Sequence, residues 1–166
     1  MRAAEIEIAV AEHFDIRRNL IVPNVSWGMG FPHEIDMLVV SGSGYATEIE
    51  IKISKSDILR DQKKRKWKSG IYSKYGDIYR TRDTIKSVYF AIPDILIECA
   101  GEIPEMAGIL LVGTQKYSDR FIAWEHRKPQ TNKTARRLSD AERYKIARLG
   151  TMRIWSLKRK LLSQET

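Results

Sequence analysis

Residues Glu48-Ile49-Glu50-Ile51-Lys52-Ile53 alternate charged and apolar side chains with a period of two. A strand sends successive side chains to opposite faces, so Glu48, Glu50 and Lys52 share one face and the three isoleucines share the other. Upstream, His33-Glu34-Ile35-Asp36-Met37-Leu38-Val39-Val40 reads as a partner strand, with Ser41-Gly42-Ser43-Gly44 as the turn. A three-residue loop at Gly42-Ser43-Gly44 sets Val40 against Ala46, Leu38 against Glu48 and Asp36 against Glu50. Like charges opposed across a hairpin sit about 5 Å apart at Cβ and destabilise the pair. Carboxylates converging on one patch beside a lysine therefore need a counter-charge, and a divalent metal is the simplest one. Taken alone, such a strand is more often the wet face of an amphipathic hairpin.

The rest of the chain supplies a frame for that hairpin. Residues 3–14 carry a helical apolar stripe, with Glu5 and Glu12 seven apart on nearly one side. Asn19 to Trp27 reads as a strand whose Pro23 implies an edge position or a bulge. Ser54-Lys55-Ser56-Asp57 has the spacing of a capped helix start, and the helix is expected to run to Lys68. Segments 87–92 and 108–113 read as strands, 94–99 as a short helix and 120–124 as another strand. Ser139 and Glu142 repeat the capping spacing and open a helix reaching about Leu162, with an interruption expected at Gly150. The expected order is α-β-β-β-α-β-(α)-β-β-α, with residues 126–138 as a linker.

Charge is unevenly placed. The net charge is +8 over 166 residues, and residues 120–166 hold 13 Lys and Arg against 4 Asp and Glu. A second basic run, Lys63-Lys64-Arg65-Lys66-Trp67-Lys68, follows the acidic strand. Such surface suits phosphate backbones better than anionic membranes. Candidate nucleic-acid contacts are Lys55, Lys63, Lys64, Lys66, Lys68, Arg136, Arg137, Arg143 and Arg148. Arg143, Arg148, Arg153 and Lys158 recur every five residues, which spreads them around the last helix. One cysteine, Cys99, allows no internal disulfide, so an intracellular, cytoplasmic setting is expected, nucleoid-associated if DNA is the partner. No apolar run approaches the roughly 20 residues of a membrane span.

Asp36 followed by Glu50-Ile51-Lys52, within an α-β-β-β-α-β order, resembles the PD-(D/E)XK nuclease superfamily. The run Glu50-Ile51-Lys52-Ile53-Ser54-Lys55-Ser56-Asp57, continuing to Asp61, Lys63 and Lys66-Trp67, is most similar to its MmcB-type DNA-repair branch. Tyr89-Phe90-Ala91-Ile92-Pro93 and Ile103-Pro104 to Gly108 resemble further segments of that branch, and the likeness spans residues 1–113. Asp36 follows Ile35 rather than a proline, with Pro32 four residues earlier. The resemblance implies an α/β, restriction-endonuclease-like core with a mixed central sheet flanked by helices. It divides the chain into a nuclease-like domain, residues 1–125, and a basic helical extension, residues 126–166.

By the same resemblance the chain would be a Mg²⁺- or Mn²⁺-dependent endodeoxyribonuclease working in repair, restriction or mobile-element processing. Asp36, Glu50 and the backbone carbonyl of Ile51 would be metal ligands, and Lys52 would orient the attacking water. Glu48 could substitute for Glu50 or flank it, and Glu5 or Glu12 could supply a further glutamate from the first helix. His33 reads as a loop histidine rather than a general base. DNA is the expected partner, RNA the alternative, and members that make paired cuts suggest a homodimer. The competing readings are a non-catalytic nucleic-acid-binding module and an RNA nuclease.

Overall fold

The 34–53 hairpin sets the register from which the rest of the sheet is built. The computed structural model describes residues 1–25, 31, 33–62 and 84–164, without the side chains of 61 and 62. Strands β1 (Leu20–Val25), β2 (Ile35–Val40), β3 (Ala46–Ile51), β4 (Ile85–Pro93), β5 (Gly108–Thr114) and β6 (Phe121–Arg127) lie side by side in sequence order. The β1–β2, β2–β3 and β5–β6 pairs are antiparallel, whereas β3–β4 and β4–β5 are parallel. Parallel neighbours need a crossover. Helix α2 (Lys55–Gln62) lies within the first, and a 3-10 helix (Asp94–Glu102) within the second. Helix α1 (Ala3–His13) precedes the sheet and α3 (Asp140–Gln164) follows it. The chain is thus an α/β protein with a mixed sheet flanked by helices and an added C-terminal helix, as expected.

The hairpin register is the expected one, with Val40 opposite Ala46 and Leu38 opposite Glu48. Ser41 N–H donates to Tyr45 O at 2.9 Å, which closes a three-residue loop over Gly42-Ser43-Gly44. Gly44 takes φ +88°, where a side chain would be strained. Pro23 lies on β1, an edge strand, where a missing N–H is tolerated. Residues 26–30 lie outside the described residues, so the expected extension of β1 to Trp27 does too.

Both faces of the sheet are covered. Ile6, Ala9 and Val10 of α1 pack on Met37, Val39, Ile49, Ala91 and Leu110. On the opposite face, Leu38, Val40, Ala46, Val88 and Phe90 meet Ile58 of α2, Cys99 of the 3-10 helix, Ile146 of α3 and, just before that helix, Leu138. Ala46, Glu48 and Glu50 share a strand face, so the glutamates point into this second layer rather than to solvent. The wet-face reading of β3 therefore fails.

Segment 126–138 was expected to be a linker, but β6 runs through Arg127, so the 125/126 boundary falls inside a strand. Beyond it the chain forms a strap bonded to the body. Gln130 N–H donates to Met106 O, Asn132 N–H to Lys86 O and Leu138 N–H to Gly44 O, each at 2.8 Å. Asn132, the first residue of a glycosylation-like triplet, is buried and donates its side-chain amide to Ile85 O.

Both capping spacings close as expected. Ser54 Oγ accepts from Asp57 N–H at 3.2 Å, and Ser139 exchanges bonds with Glu142 through both main chain and side chain. Helix α3 continues through Gly150 without the expected break. A Cβ there would stand 3.3 Å from Val22 Cγ2, so glycine sits where the helix passes close to β1.

Candidate metal centre at the end of β3

Four charged side chains come together where β3 ends and the chain turns toward α2. Glu48 and Glu50 are 0% and 3% exposed, and Lys52 only 6%. Charges taken this far from water are stable only when paired and hydrogen-bonded. Lys52 Nζ donates to Glu50 Oε2 at 2.8 Å and lies 3.7 Å from Asp36 Oδ2, so one ammonium bridges the two expected ligands. Its backbone N–H donates to Ala91 O at 3.0 Å, continuing the parallel ladder past β3. The side chain extends over the Phe90 ring, 5.8 Å from its centroid. Lys52 is thereby fixed at both ends.

Asp36 is held differently. Its Oδ2 accepts the Ile51 N–H at 2.9 Å, a bond across the β2–β3 pair that turns the carboxylate toward the strand end. The other side of this group is open. A cavity of about 230 Å³ is lined by Ala3, Glu7, Asn24, Asp36, Ile51 and Ile53. Burial, and then the neighbouring Asp36 charge, raise the Glu7 carboxyl above its usual range.

Glu7 is therefore the α1 carboxylate that faces the site, and it was not among the residues expected from sequence. Glu5 instead accepts from Arg2 N–H at 2.7 Å and from its guanidinium, contacts that lower its pKa. Glu12 is paired with Arg120 at 2.9 Å, toward β6. A sequence signal for Glu7 existed: it follows Ala3 by four, which puts both on the same side of α1 beside the buried Ile6.

His33 was read as a loop histidine, and it does lie in the segment before β2. Its Nε2 is nevertheless 2.8 Å from Glu48 Oε1. Donor atoms of His33, Glu48 and Glu50 all lie within 4.8 Å of one another. Glu48 thus flanks Glu50 with a partner of its own, while Lys52 engages Glu50.

The basic residues are more dispersed. Lys63, Lys64, Lys66 and Lys68, with Trp67, lie outside the described residues. Lys55 opens α2 and is exposed, as is Arg148 on α3. Arg136 is committed to Glu142 at 2.8 Å and Arg143 to Asp140 at 3.3 Å. Arg137 lies over the Tyr45 ring. Trp155, on α3, is 57% exposed.

Fold and site define an α/β protein with a carboxylate–lysine–histidine cluster, its two glutamates and lysine buried, at the carboxyl end of a sheet strand, the end where open α/β sheets bind ligands. No family model and no curated protein matches the chain. Among solved structures it is similar to the SPO1766 protein of unknown function from Silicibacter pomeroyi, with TM-score 0.57 and 18% identity over 99% of this chain and 91% of that one. At that identity the likeness establishes the fold alone. No helix among the described residues is long and apolar enough to cross a membrane.

Proposed function

We propose that this chain is a divalent-metal-dependent nuclease that hydrolyses phosphodiester bonds in DNA, in line with its resemblance to the PD-(D/E)XK superfamily. The observation that carries the reading is the bridge from Lys52 to both Asp36 and Glu50 at the end of β3, at 3.7 and 2.8 Å. Lysines and acids are often neighbours on surfaces, where they contribute little. Here the lysine and Glu50 are buried, so their placement is a cost to the fold that a reaction would explain.

The donor set fits Mg²⁺ or Mn²⁺, hard cations that take carboxylate and carbonyl oxygens and retain water. Asp36, Glu50 and the Ile51 carbonyl would hold the ion, with Glu7 across the cavity adding a further carboxylate. Bound there, it would supply Lewis-acid stabilisation of the phosphate and a bound water of lowered pKa. Lys52, set between two carboxylates, would orient water near the phosphorus and offset developing negative charge. Lys55, Arg137 and Arg148 offer exposed cations to the phosphate backbone.

The test is cleavage of linear and circular DNA by purified protein with Mg²⁺ or Mn²⁺. Asp36→Asn and Glu50→Gln, which preserve shape, are expected to abolish cutting while leaving salt-dependent DNA binding intact. Cutting that persists in both variants overturns the assignment. Tight DNA binding with no cleavage under any divalent ion favours the non-catalytic module, and matched RNA substrates distinguish the RNA nuclease.

A further inference from the structure

We infer that His33 is a metal ligand, and that with Glu48 and Glu50 it makes the centre prefer a first-row transition cation such as Mn²⁺ over Mg²⁺. The inference rests on the proposal that a divalent ion sits at the end of β3 with Glu50 among its ligands, and adds to it two further donors and the identity of the ion.

Three observations converge. Glu48 is fully buried and points into the same layer as Glu50. A buried carboxylate so close to another raises the cost of the folded state unless positive charge or strong donors compensate. An imidazole from a different segment is set against it, with Nε2 2.8 Å from Glu48 Oε1. The His33 side chain is 20% exposed while that of Glu48 is 0% exposed, so the histidine lies at the mouth of the cluster and gives an ion a way in.

The spacing suits one ion. Donors around an octahedral cation at about 2.1 Å lie about 3 Å apart when adjacent and about 4.2 Å apart when opposite. The three donor atoms here lie within 4.8 Å of one another. With the widest pair opposite each other, closing on an ion asks for at most about 0.6 Å. The ion would take the place of the direct His33–Glu48 hydrogen bond, with Nε2 presented as a lone pair instead of a proton.

The imidazole decides selectivity. Mg²⁺ takes oxygen donors and holds its waters tightly, whereas first-row transition ions accept an imidazole nitrogen readily. A centre built only from Asp36, Glu50 and the Ile51 carbonyl has no such donor. One built on β3 with His33 does.

The experiment uses the full chain, stripped of metal and titrated separately with Mn²⁺ and Mg²⁺ in a calorimeter, with electron spin echo spectra of the Mn²⁺ form. Mn²⁺ should bind more tightly than Mg²⁺, with nitrogen modulation in the echo. His33→Gln should remove the modulation and lower Mn²⁺ affinity by about tenfold or more, while Mg²⁺ affinity changes little. His33→Ala serves as a second variant, and His13→Gln should leave the modulation in place. Absence of Mn²⁺ binding, an echo without nitrogen, or modulation that survives both His33 variants overturns the inference. Cleavage is scored independently. A nitrogen-coordinated Mn²⁺ in a protein that cuts nothing defeats the nuclease reading alone, and Mg²⁺-supported cutting without a nitrogen signal defeats this one alone.

Discussion

Glu50 and Lys52 are worth more to each other than to the fold. Moving two charges from water into an apolar layer costs several kcal/mol per ion, and their mutual attraction does little better than repay it. Removing only one partner leaves the other charge buried. Lys52→Met is therefore expected to cost about 3–5 kcal/mol in chemical denaturation at neutral pH. The double variant Glu50→Gln/Lys52→Met should recover much of that loss without recovering any metal-dependent activity. If the double variant is no more stable than the single, the pair is not the energetic unit its geometry describes. Glu7 gives a prediction of opposite sign. Its pKa is raised above the ordinary 4.5 by burial and by Asp36, so the folded state holds that proton more tightly than the unfolded one. Its contribution to stability is present below 4.5 and declines as pH rises through the raised value. Glu7→Gln should thus raise the melting temperature at pH 7 and lose that advantage in acid. Adding Mn²⁺ or Mg²⁺ should stabilise the wild type more than this variant, since the ion relieves the same repulsion.

Individual elements follow local signals wherever a few adjacent residues decide the outcome. At the start of α3, Glu142 bonds to the Arg136 guanidinium and to Ser139, and these contacts hold its carboxyl at about 2 against an ordinary 4.5. The folded pKa is the lower one, so this stabilisation is present above 4.5 and disappears as pH falls toward about 2. Ser139→Ala should cost about 1 kcal/mol. Glu142→Gln should lower the melting temperature at pH 7, and the gap to wild type should close on acidification. An unchanged gap at low pH would mean the carboxylate charge is not what caps the helix. The same locality made the 34–53 hairpin legible, because Gly44 fixes the loop and the loop fixes the pairing of Leu38 with Glu48. Period-two alternation could not tell which side of β3 is dry, however. Here both sides are, because α1 covers one face while α2 and α3 share the other. The His33–Glu48 contact was likewise hidden, since His33 precedes β2 and no strand register reaches it. Gly150 misled in a third way: a helix interior tolerates glycine when a neighbouring strand needs the room.

For the molecule as a whole, the C-terminal third divides at the middle of α3 rather than at residue 125. Leu138 and Ile146 are buried in the main core, whereas Ile154, Trp155, Leu157, Leu161 and Leu162 are between 56% and 68% exposed. Stopping the chain after Arg127 would strip the strap and those two core residues, and should leave a protein that does not fold cooperatively. Stopping after Arg153 should shift the melting temperature little, because Arg153 keeps its bond to Asn24 O and residues 154–164 are exposed. That shorter chain also tests the electrostatics. Residues 154–164 carry Lys158, Arg159 and Lys160 and no acid. Each phosphate contact contributes about 0.9 to the slope of log affinity against log salt on duplex DNA. If all three cations engage phosphate, the truncated protein should bind DNA more weakly at low salt, with a slope shallower by about 2.7. Metal-dependent cleavage per bound complex should be unchanged, since Asp36, Glu50 and Lys52 lie on the sheet. A slope unaltered by the truncation would assign the free half of α3 to some partner other than the phosphate backbone, and would leave DNA contact to Lys55, Arg137 and the basic run after α2.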